Sequence, residues 1–530
     1  MDVKQIIEEK RTYLGIEFGS TRIKAVMIDE AGKVLASGSY EWENQFENGV
    51  WTYSLDAVWT GLQECYADLL KDVKTKYGIT VKGFASIGFS AMMHGYLAFN
   101  SKDELLVPFR TWRNTITEEA SKALTKEFNY NIPQRWSIAH LYQAILNKEP
   151  HCKDIAFFTT LAGYVHWQLT GEKVLGVGDA SGMYPIDIAT GDFDEKMIKK
   201  FDELVASYGF GWNLRGISPK VLSAGECAGY LTKEGAAKLD VSGNLEAGIP
   251  LCPPEGDAGT GMCATNSVGK RTGNVSAGTS IFAMVVLEKE LSRVYPEIDL
   301  VTTPDGALVG MVHCNNCTSD INAWVNLFDE FAGLIGTSVD KNTLYTKLFN
   351  KAMEGEADCG GLVSYNYFSG EPVTGFDSGS IMFVRKADDK FDLSNFMRMN
   401  IYSSLATLKY GLDLMFKEEG VKCDEMFGHG GLFKTPGVGQ SIAAAAMNTS
   451  VSVMETASEG GPWGMALLAL FAAKKKENSA LTLQEFLNKD IFAGNKGSKM
   501  DPDSKTVEGF DAFMEKYVRG LDALRASLKM

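Results

Sequence analysis

The sequence predicts an α/β protein made of two similar domains, and three observations support that prediction. Three strand-like segments, a helix and a buried strand follow one another near the start of the chain. A strand–turn–strand unit with the same type of turn returns about half a chain later. A chain of 530 residues is also too long for one hydrophobic core. We therefore expect two domains, residues 1–265 and 266–530.

The first α/β unit begins at residue 13. Residues 13–17, 23–29 and 33–42 are predicted strands, because apolar and β-branched residues there are bounded by turn formers. Ser54 is the predicted N-cap of a helix whose apolar residues recur every three or four positions, at Leu55, Val58, Trp59, Leu62, Tyr66, Leu69 and Leu70. Residues 83–91 are predicted to form a buried strand after this helix.

Two glycine-containing turns mark the repeat. Residues 19–21 are Gly-Ser-Thr, and residues 278–280 are Gly-Thr-Ser, followed by predicted strands at 281–287 and 308–313. A glycine followed by two hydroxyl residues lets a phosphate group approach closely, because backbone N–H and side-chain O–H groups point into the bend. The pattern predicts two phosphate-binding hairpins, with two ordinary β-turns as the alternative.

The charge balance limits the partners that the chain can attract. Lys and Arg total 52 against 67 Asp and Glu, which gives a net charge of −15. Such a chain repels phosphate at long range, which argues against a nucleic-acid or anionic-membrane partner. A polyanion such as ATP would need a local binding device. The hydrophobic fraction of 45% is typical of a soluble globular protein.

The cysteines predict reduced thiols in the cytoplasm. Nine cysteines are spread along the chain without framework spacing, and we find no signal-peptide or membrane-length apolar segment. Cys314 and Cys317 form a C-N-N-C pair that suits redox chemistry or metal binding. Because a second pair and nearby histidines are missing, we expect these two residues to be buried thiols.

Nine short motifs occur in a fixed order along nearly the whole chain. They are LGIEFGSTRIKAV from Leu14, MMHG from Met92, LTGE from Leu169, DASG from Asp179, GDAG from Gly256, SAGTS from Ser276, SGE ending at Glu371, GHGG from Gly428 and SEGGPWGMALLA from Ser458. With this ordered set the chain resembles the FGGY carbohydrate kinase family, most of all the xylulose kinases. Each motif alone is weak, whereas their order is specific.

The resemblance implies a fold and a reaction. The fold would be two actin-like (ribonuclease H-like) ATPase domains with a cleft between them, the first binding sugar and the second binding nucleotide. The reaction would be transfer of the γ-phosphate of ATP, with Mg²⁺, to a terminal hydroxyl of a ketose, a pentulose such as xylulose. The implied partners are a small sugar and ATP, together with a second copy of the chain in a homodimer.

The resemblance also implies individual roles. Asp257 would be the catalytic base and would contact the substrate, and Glu17 would help to hold Mg²⁺. Further substrate contacts are implied for Met93, His94, Trp112 and Arg113. Nucleotide contacts are implied for Gly19, Ser20, Thr21, Lys24, Gly278, Thr279, Ser280, Gly430 and Gly431. Lys24 could instead face solvent and His94 could be a buried structural residue. Asp179 and Gln440 match family positions too, and we expect both to be structural.

Four positions depart from the family pattern. Glu17 replaces the usual Asp, and its extra methylene would move the carboxylate by about 1.5 Å. Ala258 replaces a common amide residue, and His140 stands at a common lysine position. Arg113-Asn114 follows Trp112 where an acidic residue is usual, which leaves the sugar open.

Other functions therefore stay open at this point. The substrate could be ribulose, another ketose, a polyol such as glycerol, or a sugar acid, for which Arg113 is the candidate cation. A protein of another class, an actin-like ATP-binding sugar sensor without productive transfer, would need nucleotide contacts but no base. MMHG together with Asp257 favours the kinase.

Overall fold

The computed structural model describes residues 2–454, 460–494 and 497–529. The chain forms two compact units. The first contains residues 2–268, 300–309 and 460–494, and the second contains residues 269–299, 310–454 and 497–529. The predicted domains had one boundary, at 265/266, whereas the chain passes between the units several times. The first passage follows Val268. Ser458 and Glu459, which open the last predicted motif, lie outside the described residues.

The elements up to residue 264 are α1 (Val3–Glu8), β1 (Tyr13–Phe18), β2 (Arg22–Ile28), β3 (Val34–Glu41), β4 (Gln45–Glu47), β5 (Val50–Thr52), α2 (Leu55–Tyr77), β6 (Ser86–Ala91), β7 (Leu97–Phe99), α3 (Glu118–Phe128), α4 (Ser137–Leu146), β8 (Phe157–Thr159), α5 (Leu161–Thr170), β9 (Val174–Gly176), α6 (Val177–Ala180), β10 (Ile186–Asp187), β11 (Asp192–Phe193), α7 (Glu195–Val205), α8 (Leu214–Ile217), β12 (Lys220–Leu222), α9 (Lys233–Leu239), β13 (Glu255–Gly256) and α10 (Asp257–Ala264).

The elements after residue 264 are β14 (Thr272–Ala277), β15 (Ile281–Val286), β16 (Asp299–Thr302), β17 (Leu308–Cys314), α11 (Ser319–Leu334), α12 (Lys341–Ala352), β18 (Val363–Asn366), β19 (Ile381–Val384), α13 (Leu393–Asp413), β20 (Glu425–His429), α14 (Val438–Met447), β21 (Ser450–Val453), α15 (Gly460–Glu477), α16 (Leu483–Phe486), β22 (Ser498–Met500) and α17 (Ser504–Ser527).

The sheet of the first unit has the strand order β13-β6-β1-β2-β3. Strands β1, β2 and β3 are antiparallel neighbours, while β6 runs parallel to both β1 and β13. The three strands predicted at the start of the chain and the buried fourth strand are confirmed. The Ser54 N-cap is confirmed as well, because its hydroxyl accepts the Ala57 N–H at 3.1 Å.

Helices cover both faces of this sheet. On one face, alternate β1 residues Leu14, Ile16 and Phe18 join the apolar side of α2 in a buried core. On the other face α15 packs against β1 and β6. A Cβ atom on Gly15 would lie 2.2 Å from the Pro462 carbonyl oxygen, so glycine is required for this close approach. Helix α15 thus belongs to the core of the first unit.

The sheet of the second unit repeats this plan. It contains the strand order β17-β15-β14-β20-β21-β22. As β1 does, β14 pairs antiparallel with the next strand along the chain and parallel with a later one, β20, which in turn pairs parallel with β21. The predicted repeat of a strand–turn–strand unit is therefore present in the structure.

The cysteines behave as the sequence predicted. All nine are unpaired, and Cys314 and Cys317 are buried. Burial raises the pKa of Cys317 to about 12, which keeps this thiol protonated. Across residues 2–454, 460–494 and 497–529, no cluster of three or more His, Cys, Asp or Glu side chains could hold a metal ion. Within the same residues, no helix is long and apolar enough to cross a membrane.

Candidate functional site

The first glycine turn joins β1 to β2, and aromatic side chains hold its carbonyl groups. The Trp42 indole N–H donates to the Gly19 carbonyl at 2.7 Å, and the Tyr53 hydroxyl donates to the Ser20 carbonyl at 2.5 Å. In a planar trans peptide the N–H points away from the C=O. The N–H groups of Ser20 and Thr21 therefore point away from these two aromatic donors, as a phosphate-binding turn requires.

The second glycine turn joins β14 to β15, and a backbone segment holds its carbonyl groups. The Gly278 carbonyl accepts the Thr318 N–H at 3.1 Å and the Thr318 hydroxyl at 2.8 Å. The Thr279 carbonyl accepts the Cys317 N–H at 2.9 Å. By the same peptide geometry, the N–H groups of Thr279 and Ser280 point away from this segment. Both predicted hairpins thus have an arrangement suited to an anion.

Two residues predicted to contact sugar lie close to the first hairpin. The Trp112 indole N–H donates to the Ser20 hydroxyl at 3.2 Å, and its ring packs against the core. The Arg113 side chain is exposed, and its guanidinium carbon lies 4.2 Å from the centroid of the Trp51 ring. In this structure Trp112 supports the hairpin, and Arg113 stacks on a neighbouring aromatic ring.

Asp257 is the first residue of α10, and Gly256 is the N-cap. Its Oδ1 atom accepts the Met93 N–H at 3.1 Å, which fixes the carboxylate next to the residue predicted to contact sugar. The side chain is accessible to solvent, yet many protein atoms surround it, and this desolvation raises its pKa. The backbone N–H groups of Met93 and Ala258 oppose the rise. An accessible carboxylate with a raised pKa is suited to accepting a proton.

Glu17 lies in the same row of the sheet as Lys24 and Ser90, which are its partners on β2 and β6. Its Oε2 atom accepts the Ser90 hydroxyl at 3.3 Å and the Thr260 hydroxyl at 3.1 Å. Desolvation and the negative charge of Asp257 raise the pKa of Glu17 to about 7, although Lys24 opposes the rise. Glu17 and Asp257 are therefore electrostatically coupled, and exposed Lys24 lies beside Glu17.

The side chain of Glu17 is one methylene longer than the Asp usual in the family, and a glycine in α15, Gly461, leaves space for it. A Cβ atom on Gly461 would lie 1.7 Å from Glu17 Oε2, so the side chain occupies space that any other residue at 461 would fill. A nucleotide-bound Mg²⁺ usually takes one or two protein carboxylates in addition to phosphate oxygens and water. Glu17 fits that requirement as a single carboxylate, and the metal role stays a prediction.

Both ring nitrogens of His94 have protein partners. Nδ1 lies 2.9 Å from the Gly182 carbonyl oxygen, and the Arg135 Nε–H donates to Nε2 at 3.1 Å. Because a carbonyl oxygen only accepts, Nδ1 carries the proton and Nε2 is the acceptor. The predicted sugar contact of His94 thus stays a prediction, and the structure adds Arg135 to the site. No local sequence pattern marked Arg135 as a functional residue.

Two buried carboxyl groups, those of Asp179 and Glu255, lie near Asp257. Asp179 accepts the Thr160 hydroxyl through Oδ2 at 2.6 Å, and its Oδ1 has no hydrogen-bond partner among the described residues. Glu255 accepts the N–H groups of Gly178 and Asp179, at 3.3 and 2.9 Å. Burial raises the pKa of Asp179 to about 7 and that of Glu255 to about 8. These carboxyls tie α6 to Thr160 and to β13, which agrees with a structural role for Asp179.

Gly430 and Gly431 lie in the second unit, after β20. Gly430 has φ +105°, and a Cβ atom there would lie 2.4 Å from the Ala277 carbonyl oxygen, directly before the second hairpin. Gln440 donates to the Val451 carbonyl at 2.8 Å, which agrees with its expected structural role. The predicted nucleotide residues of the second unit are therefore neighbours, and their contact with nucleotide stays a prediction.

His140 does not replace the lysine that is common at its position. The ring is buried beside Tyr96, with 6.4 Å between the ring centroids. Burial and the charge of Arg110 lower the pKa of His140 to about 3, so the side chain is neutral. It cannot supply the positive charge of a lysine.

The similarity to known proteins extends over most of the chain. The family model described as the N-terminal domain of the FGGY family of carbohydrate kinases matches residues 12–262, and its C-terminal counterpart matches residues 273–473. The xylulose kinase of Haemophilus influenzae is 22% identical over 540 residues, which cover 97% of this chain and 100% of that protein.

Two solved structures show the same fold. They are a ligand-bound xylulose kinase and a gluconate kinase, both from Lactobacillus acidophilus. Each has a TM-score of 0.78 and covers 97% of this chain, with 99% and 98% of the two known chains covered. Sequence identities of 17% and 18% are too low to assign the same substrate to this chain. The TM-scores confirm the expected α/β fold of two actin-like domains.

Proposed function

Because the chain belongs to the FGGY family of carbohydrate kinases, we propose that it transfers the γ-phosphate of ATP to a terminal hydroxyl of a ketose. A pentulose such as xylulose is the first candidate, which the similarity to xylulose kinases supports. The observation that carries the proposal is Asp257, an accessible carboxylate held by the Met93 N–H. A sugar sensor without transfer would not need this group.

In the proposed reaction Asp257 accepts the proton of the sugar hydroxyl. The sugar hydroxyl oxygen attacks the γ-phosphorus while its proton passes to Asp257, and the bond to the β–γ bridging oxygen of ATP breaks. Because Oδ1 is already bound to the Met93 N–H, we assign proton transfer to Oδ2. Mg²⁺ bound to the nucleotide would supply positive charge for the phosphates, and Glu17 is the residue that would orient it.

Each hairpin is proposed to bind nucleotide phosphate through backbone N–H and hydroxyl groups. The residues proposed for this role are Gly19, Ser20, Thr21, Gly278, Thr279 and Ser280. Lys24 is exposed beside Glu17 and is proposed as an added cation. Gly430 and Gly431 are proposed to lie against the nucleoside, where a bare backbone leaves room for a flat base.

A sugar acid is the second candidate substrate, and Arg135 is the observation that favours it. Arg113 was the cation predicted from the sequence, but its guanidinium stacks on Trp51. Arg135 instead hydrogen-bonds the predicted sugar residue His94. A guanidinium in this place suits a substrate carboxylate, because its planar donors match the carboxylate geometry. The similarity to a gluconate kinase agrees with this candidate.

The experiment is an ADP-release assay with a panel of acceptors. The panel contains xylulose, ribulose, glycerol and gluconate, each with ATP and Mg²⁺. We expect xylulose to give the highest kcat/KM. A preference for gluconate that is lost in Arg135→Gln would select the sugar acid. No stimulation by any acceptor, with MgATP still bound, would refute the kinase and favour the sensor.

A further inference from the structure

The segment that holds the second hairpin is itself held in place. The segment Asn316, Cys317 and Thr318 follows β17, and its three backbone N–H groups donate to two different parts of the chain. Those of Cys317 and Thr318 donate to the hairpin carbonyls of Thr279 and Gly278. The N–H before them, that of Asn316, donates to a carboxylate oxygen of Glu371 at 3.3 Å. The hairpin and Glu371 therefore bind adjacent peptides of one short segment.

The contact between Glu371 and Asn316 is made twice. The Asn316 side-chain amide also donates to Glu371 Oε2, at 3.0 Å. The amide oxygen of Asn316 accepts the Ser369 N–H at 3.0 Å, which ties the segment to the chain that carries Glu371. On the other side, the Asn366 amide donates to the Cys317 carbonyl at 2.8 Å. This segment is thus clamped by side chains rather than by a regular sheet.

Glu371 is placed where a carboxylate is costly to bury. It is fully buried, and its second oxygen, Oε1, has no hydrogen-bond partner among the described residues. The ionisable groups that face it are Cys314, Tyr367 and Tyr517, whose burial keeps them neutral. Burial raises the pKa of Glu371 to about 7, and the N–H groups of the Asn316 segment oppose the rise. A carboxylate buried at such a cost, with hydrogen bonds from both the backbone and the side chain of Asn316, points to a specific task at that segment.

We propose that Glu371 is a positioning residue for the nucleotide: through Asn316 it holds Cys317 and Thr318 against the second hairpin and so sets the affinity for nucleotide phosphate. This inference rests on the proposed function, because it takes the second hairpin as a phosphate site. Glu371 acts without touching the nucleotide. It keeps the hairpin carbonyls bound, and by peptide geometry this keeps the opposite N–H groups directed at the phosphate.

The test measures MgADP affinity by calorimetry together with KM for ATP and for the acceptor. We expect Glu371→Ala to weaken MgADP binding about tenfold or more, because it leaves the buried Asn316 donors unpaired. KM for the acceptor should change less than twofold, because Met93 and Asp257 lie in the first unit. Glu371→Gln keeps one acceptor oxygen and should restore affinity to within about threefold.

A second variant tests the other end of the same connection. Thr318→Val removes the hydroxyl that donates to the Gly278 carbonyl but keeps the backbone N–H. We expect a weaker MgADP complex by about threefold to tenfold. In the double variant the two losses should be less than additive, because both changes release one hairpin.

The matched control is Glu419→Ala. Glu419 is a buried carboxylate of the same unit with comparable hydrogen bonds, from the N–H and hydroxyl of Ser292 and the hydroxyl of Tyr295. It should lose stability and keep MgADP affinity. Equal weakening of MgADP binding in Glu371→Ala and Glu419→Ala would overturn the proposal, as would a folded Glu371→Ala with unchanged affinity.

Two further outcomes can be told apart: a variant that does not fold, and a wild-type protein that binds no MgADP. If Glu371→Ala does not fold, Glu371→Gln and Thr318→Val decide, and strictly additive losses in their double variant overturn the inference. If the wild-type protein itself binds no MgADP, the nucleotide site of the proposed function fails and the inference falls with it. Normal wild-type binding with unchanged variants refutes only the role of Glu371.

Discussion

The two glycine hairpins have the same type of turn, a glycine followed by two hydroxyl residues, and different surroundings. Aromatic side chains hold the carbonyls of Gly19 and Ser20, whereas the segment before α11 holds those of Gly278 and Thr279. Two residues before the glycine, the first hairpin has Glu17 and the second has Ser276. The comparison teaches that the same type of turn forms in both units, while the residues around it, Glu17 in one and Ser276 in the other, give the two turns different chemical surroundings.

Substitution of Asp257 should give the largest effect, because Asp257 is the proposed base and lies in the first unit, as Glu17 does. We expect Asp257→Asn to lower kcat by about 10²–10⁴-fold, the usual cost of losing a general base. MgADP affinity should stay close to that of the wild type. The measurements are steady-state kinetics and calorimetry.

The control for this change is Asp56→Asn. Asp56 is an exposed carboxylate in the first turn of α2, so like Asp257 it lies at the start of a helix, but without the surroundings of Asp257. Its kcat should be unchanged. Retention of more than about a tenth of kcat in Asp257→Asn would contradict the assigned role.

Gly461→Ala tests the position of the Glu17 carboxylate, which lies beside the first hairpin. The added Cβ would occupy the place of Glu17 Oε2, at 1.7 Å, so the carboxylate must move. We expect kcat/KM to fall about tenfold or more and the Mg²⁺ concentration for half-maximal rate to rise.

The paired control is the same change in a Glu17→Asp background. The shorter carboxylate leaves room for a methyl group, so Gly461→Ala should cost less there than in the wild type. Equal losses in both backgrounds would show that residue 461 and residue 17 do not interact.

Tyr53→Phe tests the aromatic support of the first hairpin. The change removes the hydroxyl that donates to the Ser20 carbonyl and leaves the ring in place. Loss of one hydrogen bond to a neutral acceptor corresponds to about a fivefold change, so KM for ATP should rise by about that factor. Tyr164→Phe, whose hydroxyl binds Trp59, is the matched control. Equal effects of the two variants would argue against a role for the hairpin.

The smallest effect concerns stability and pH. The pKa of Asp179 is raised from 3.8 to about 7 by burial, so between these values the folded protein keeps a proton that the unfolded chain loses. This group therefore makes the free energy of unfolding fall as pH rises through that window, by up to about 1.4 kcal/mol per pH unit. Asp179→Asn should lack this contribution, which urea unfolding between pH 5 and pH 8 would measure. A difference between the two proteins that does not vary with pH would refute it.

Local patterns were enough to find the elements around both hairpins. Apolar runs bounded by turn formers predicted β1, β2 and β3, a buried run predicted β6, and Ser54 marked the start of α2, because each of these signals depends on residues a few positions apart. The ordered motifs also identified Asp257. The same reasoning found no reason to single out Arg135, since a lone arginine between Gln134 and Trp136 has no local signature.

The sequence by itself determined the α/β class, the repeated hairpins, the kinase family and the candidate for the base, Asp257. Only the tertiary structure decided that α15 packs in the first unit, that Gly461 makes room for Glu17, and that Glu371 supports the second hairpin. The physical reason is distance along the chain. A turn or strand is set by neighbours that repeat with a fixed period, whereas these contacts join residues that are far apart in sequence and leave no period to read.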